Sequence, residues 1–120
     1  MLKAAVFLFV IKMIDAQLLG GWDKLHPLDD EEKKVFEHVK KSFEDGTHGL
    51  KSFKSAYAEL LKHATDANIK VQEQVVAGTN FLFEIPTSDP TARKLYLKVF
   101  RGLPFDPVIE VEYLDTKHPQ

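Results

Sequence analysis

The chain has 120 residues, a formal net charge of −2 and a pI near 6.2, which suits one domain and gives no reason to expect a nucleic-acid surface. It contains no cysteine, which excludes a disulfide framework, a thiolate zinc site and a cysteine nucleophile. With 44% apolar residues and nine phenylalanines, an ordinary hydrophobic core must hold the fold.

The first sixteen residues differ from the rest. Lys3 precedes the apolar run "AAVFLFVI", Lys12 follows it, and Ala16 stands before Gln17. A positive start, a short apolar stretch and a small residue are the pattern of a secretory signal peptide. The run is too short to span a bilayer. The expectation is removal of residues 1–16, a mature domain over 17–120 and a secreted protein. The other reading is a buried first strand in an unprocessed cytoplasmic one.

After Pro27, Asp29 with Glu32 three residues on forms a capping-box pattern, and Asp30 and Glu31 suit a helix N-terminus. Val35, Phe36, Val39 and Phe43 fall on one helical stripe, and Gly46 is a natural stop. The spacing predicts an amphipathic helix whose acidic first turn is capped and solvated. Leu50, Phe53, Tyr57, Leu60, Leu61 and Ala64 predict a second, shorter helix. From Ile69 the period changes to two. "NIKVQEQVV" and "TNFLFEI" predict an antiparallel pair joined at Ala77 and Gly78, with "KLYLKVF" and "VIEVEYL" as further strands. A helix followed by successive hairpins predicts an α+β fold, with an antiparallel sheet packed on a long amphipathic helix.

Chemistry is sparse. The five histidines, His26, His38, His48, His63 and His118, show no paired ligand spacing, so no metal or cofactor is expected. No nucleophile elbow, phosphate loop or dinucleotide fingerprint is present, and no enzyme activity is expected. Three apolar pieces stand out instead: Leu18-Leu19-Gly20-Gly21, the uncharged hairpin tip Gln74-Val75-Val76-Ala77-Gly78, and Leu103-Pro104-Phe105. In a meander alternate turns fall at one end of the sheet. The three pieces are therefore expected to share an edge, as exposed apolar patches at binding sites do.

"QVVAGTNF" followed by "LYLKVFRGLPF" resembles the cystatin superfamily, reversible inhibitors of papain-like cysteine proteases. That family carries a glycine near the N-terminus, a Q-x-V-x-G first loop and a proline-containing second loop. Gly20 or Gly21, the residues 74–78 and Leu103-Pro104 stand in those places, in that order. Absent disulfides and the Leu-Pro pair make the stefins the most similar group, although stefins lack a signal peptide. The stretch 47–66 is longer than the family needs, and Trp22 has no assigned place.

The resemblance implies a cystatin-like fold of about five strands wrapped around the helix. It also implies a reversible, tight-binding, non-covalent inhibitor of cathepsin L- or B-type proteases. The protease-binding residues would be Leu18, Leu19, Gly20, Gly21, Gln74, Val75, Val76, Ala77, Gly78, Leu103, Pro104 and Phe105. Gly78 would let loop and protease approach closely, Gln74 would brace the loop, and Phe105 would supply contact area. No nucleic-acid or membrane partner is expected. The chain would be a monomer, with strand exchange through the first hairpin as a route to a swapped dimer. A cystatin-fold interaction module that inhibits nothing is the alternative.

Overall fold

The computed structural model describes residues 21–46, 53–65, 67–87, 94–104 and 108–119. It is an α+β fold: a five-stranded, fully antiparallel sheet in the order β1-β2-β3-β4-β5, with two helices packed on one face. The strands are β1 (His26–Pro27), β2 (Lys70–Val76), β3 (Gly78–Pro86), β4 (Lys94–Arg101) and β5 (Ile109–Asp115); the helices are α1 (Asp30–Asp45) and α2 (Ser55–Lys62). Residues 1–16, expected to be removed as a leader, lie outside the described residues.

Helix α1 begins where the capping box places it. Asp29 accepts from the Glu32 N–H and the Glu32 side chain accepts from the Asp29 N–H, both at 2.8 Å. It ends at Gly46, which takes the left-handed conformation at φ 72°. Its ends are those the sequence marks, and at 16 residues, about 24 Å, it is a short helix rather than a long one. Its stripe of Val35, Phe36, Val39 and Phe43 is buried against Val71, Phe83, Leu97 and their neighbours, with the Phe36 and Phe83 rings 5.5 Å apart.

Helix α2 starts at Ser55 without a side-chain cap and packs on α1, β4 and β5 through Tyr57 and Leu61. Lys40 donates to the Ala64 carbonyl at 2.6 Å, tying the end of α2 to α1.

Register decides which side chains enter the core. Ile69, Val71, Phe81, Phe83, Ile85, Leu95, Leu97 and Val99 alternate onto the helix-covered face and are buried. In β5 the pairing jumps from Lys98↔Tyr113 to Val99↔Val111, leaving Glu112 as a bulge. That extra residue lets Val111 and Leu114, three apart, both face the helices. Strand β1 escapes a periodicity reading because it has two residues, one of them proline; its pairing of His26 with Val71 creates it.

Candidate functional site

The β2–β3 hairpin turns at Ala77, between the paired Val76 and Gly78. Thr79 pairs with Arg101 and Asn80 with Phe100, so the chain leaving β4 through Gly102, Leu103 and Pro104 runs beside that hairpin. Gly102 donates to the Val108 carbonyl at 2.8 Å and closes this second turn. On the other flank Trp22 pairs with Gln74, and the Asp23 N–H donates to the Glu73 carbonyl at 2.9 Å. Continuing that antiparallel pairing puts Gly21 level with Val75.

Gly21, the residues 74–78 and Leu103-Pro104 therefore border a single end of the sheet. Leu18, Leu19, Gly20 and Phe105 lie outside the described residues. Among the described residues, four large apolar side chains are exposed: Trp22 (37%), Leu25, Val76 (42%) and Val108 (40%). All but Leu25 border this same rim. Ala77 and Pro104 are also exposed, while Val75 and Leu103 are half-buried. The rim offers apolar area and amides; beside it Arg101 lies over the Phe81 ring and pairs with Glu31 of α1 at 3.0 Å. Such a surface is suited to being covered.

The hairpin is braced from within. The Asn80 amide donates to the Gln74 side-chain oxygen at 2.7 Å across the strand pair. Gly78 takes a backbone conformation at the turn that favours glycine. It is buried, at φ 120°, and a Cβ there would meet the Arg101 carbonyl oxygen at 2.5 Å and the Phe100 ring at 2.7 Å. The space above Gly78 is filled by this chain's own β4, so the close approach is internal.

A second group lies beneath the rim. Glu32, 1% exposed, faces Glu73 of β2 and His26 of β1. The acidic first turn of α1 is thus solvated at Asp30 and Glu31 but not at Glu32. The reason is helical spacing: Glu32 precedes Phe36, Val39 and Phe43 on the buried stripe. Glu73 likewise falls in phase with Val71 and Val75 on the core face of β2. Two carboxylates at apolar phases were the available signal.

His26 Nε2 stands 2.8 Å from a Glu32 oxygen and Nδ1 stands 2.7 Å from the Lys24 carbonyl. With a carbonyl at one ring nitrogen and a carboxylate at the other, these contacts favour the protonated imidazole, in which both nitrogens donate. Burial pulls the imidazole down, but the hydrogen bonds to Lys24 and Glu32 and the charges of Glu32 and Asp23 hold it above its usual pKa. Burial pushes Glu73 up, and the Glu32 carboxylate beside it pushes further, to about 8. Burial also opposes ionisation of Glu32, yet its hydrogen bonds with Glu73, the Asp29 backbone and His26 outweigh this and lower it. The three ligand-type atoms lie within 4.8 Å of one another. They close on themselves as a hydrogen-bonded cluster, which the scattered spacing of the histidines did not suggest.

This cluster fastens the N-terminal segment to the body. The Asp23 carboxylate accepts the Glu73 N–H at 2.8 Å, and the Gln72 amide donates to the Asp23 carbonyl at 2.8 Å. A depression of about 310 Å³ lies at the opposite end of the sheet, near Pro86, lined by Leu60, Ala64 and Asn68 among others. Among the described residues no helix is long and apolar enough to cross a membrane. No protein-family model, curated protein or solved structure matches this chain.

Proposed function

We propose that this chain is a reversible, tight-binding, non-covalent inhibitor of papain-like cysteine proteases, with a cystatin-like fold most similar to the stefins. The N-terminal segment and the two turns act as a wedge that plugs the active-site cleft. The observation that carries this reading is the shared rim: Gly21, the residues 74–78 and Leu103-Pro104 meet at one end, with Val76 outward. Burying Val76 against a partner would contribute roughly 1.5–3 kcal/mol. The Gln74–Asn80 brace and the packed Gly78 hold the loop in advance, so little ordering entropy is lost on contact.

The cluster beneath supports the same reading, because it fixes the direction in which the N-terminal segment enters the rim. Leu18 and Leu19 would then lie ahead of Gly20 like a truncated substrate, as the resemblance implies. The protein would work outside the cell if residues 1–16 are removed. Titration into active-site-quantified papain tests the proposal. Stoichiometric inhibition is expected, weakened at least tenfold by Val76→Asp with no loss of thermal stability. Absence of inhibition at micromolar concentration would replace this reading with a non-inhibitory interaction module.

A further inference from the structure

The chain's one tryptophan is placed beside the rim by main-chain contacts. Trp22 pairs with Gln74, and residues paired across strands share a sheet face. That is the outer face, opposite the helices, because Glu73 and Val75 alternate onto the inner one. Val76, two residues beyond Gln74, is on the outer face as well, and Asn80 and Phe100 continue the same row across β3 and β4. The indole and the Val76 side chain are thus diagonal neighbours, both exposed.

The backbone next to the indole is held on three counts: Asp23 N–H to Glu73, Glu73 N–H to Asp23, and the Gln72 amide to the Asp23 carbonyl. Among the described residues no acceptor pairs with the indole N–H. A large aromatic side chain on a fixed backbone, apolar in body and with one free donor, is the residue type that most often anchors protein interfaces.

We infer that Trp22 is an anchor of the rim's contact surface, extending it from the hairpin tip down the outer flank of β2. This rests on the inhibitor reading. The partner is the same protease, and the chemistry required of it is a ring-sized apolar patch on the cleft wall with an acceptor for the indole N–H. Leu25 is the internal comparison. It is more exposed, at 45%, but it stands three residues further along the segment, about 10 Å from Trp22. Exposure alone would rank it first; position ranks it outside the contact.

The experiment compares inhibition of papain by the full chain and by Trp22→Ala, Trp22→Phe and Leu25→Ala, with thermal melts of each. The expected result is an inhibition constant raised about 10- to 100-fold by Trp22→Ala, recovered only in part by Trp22→Phe, which restores a ring without the N–H, and changed less than about twofold by Leu25→Ala. Equal inhibition by wild type and Trp22→Ala overturns the anchor while leaving the inhibitor reading standing. A wild-type chain that inhibits no papain-like protease overturns both. Should Trp22→Ala fail to fold, the wild-type chain labelled with 5-fluorotryptophan gives a single fluorine resonance. A shift of that resonance on adding papain supports the anchor, and an unmoved resonance in a formed complex rejects it.

Discussion

The ring of Phe100 occupies the space in which Gly78 would carry a side chain, its nearest carbon 2.7 Å from the position of a Cβ. Real Cβ atoms do not tolerate that approach, and the Arg101 carbonyl oxygen stands nearer still, at 2.5 Å. Gly78→Ala is therefore expected to destabilise the fold by about 2 kcal/mol or more, from strain at φ 120° combined with overpacking. Phe100→Ala made in the same chain should recover only part of this loss, because the carbonyl cannot be removed. Chemical denaturation of the two single variants and the double variant measures it. Full recovery in the double variant would mean that the ring alone sets the constraint.

Stability should follow pH through the cluster beneath the rim. Glu73 has its pKa raised to about 8, so its contribution is complete below its unfolded value of 4.5 and is lost as pH rises towards 8. His26 is also raised, so its contribution is complete below 6.5 and is lost above it. Glu32 is lowered, and its contribution is present above 4.5 and lost as pH falls. The melting temperature is accordingly expected to be highest in mildly acidic solution and to fall between about pH 5 and pH 8. A melting temperature that rises steadily across that interval would contradict the protonation states assigned to His26 and Glu73.

Glu73→Gln keeps a donor towards Glu32 while removing the charge that appears above pH 8. This variant should lose much of the decline in stability on the alkaline side. Glu32→Ala leaves the Asp29 N–H and the His26 imidazolium without their shared acceptor. Removing one partner from a buried charged pair typically costs about 3–5 kcal/mol, and the half-exposed His26 puts the expectation at the lower end. Guanidinium titrations of both variants at pH 5.5 and pH 8.5 separate the two effects.

How legible the molecule was depends on the range of the contacts involved. The caps of α1 are local chemistry, so Asp29, Glu32 and Gly46 announce its ends, and alternation announces β2 to β5. Strand β1 exists because His26 pairs with Val71, 45 positions away, and nothing local marks it. The site divides in the same manner. Val76 outward follows from two valines at a turn, but the occupant of the space above Gly78 is Phe100, which only the β3–β4 register reveals. Glu32 and Glu73 each sat on an apolar phase of their own element, where a polar residue is a sign of a buried partner. The partner itself is set by the tertiary packing of α1 against β2.

The brace between Asn80 and Gln74 is expected to matter more for the shape of the rim than for global stability. A neutral hydrogen bond of this kind contributes about 1 kcal/mol, so Asn80→Ala should lower stability by that amount. The loop it steadies is one residue wide at Ala77, with Val76 exposed beside it, so loss of the brace should appear as faster hydrogen exchange at residues 76–79. A cycle of Asn80→Ala, Gln74→Ala and the double variant should give a coupling of about 0.5–1 kcal/mol. If the rim is a preorganised wedge, Asn80→Ala should also raise the inhibition constant for papain by more than its stability loss implies, because the partner must then order the loop. Zero coupling together with unchanged exchange would show that the hairpin keeps its form without this contact.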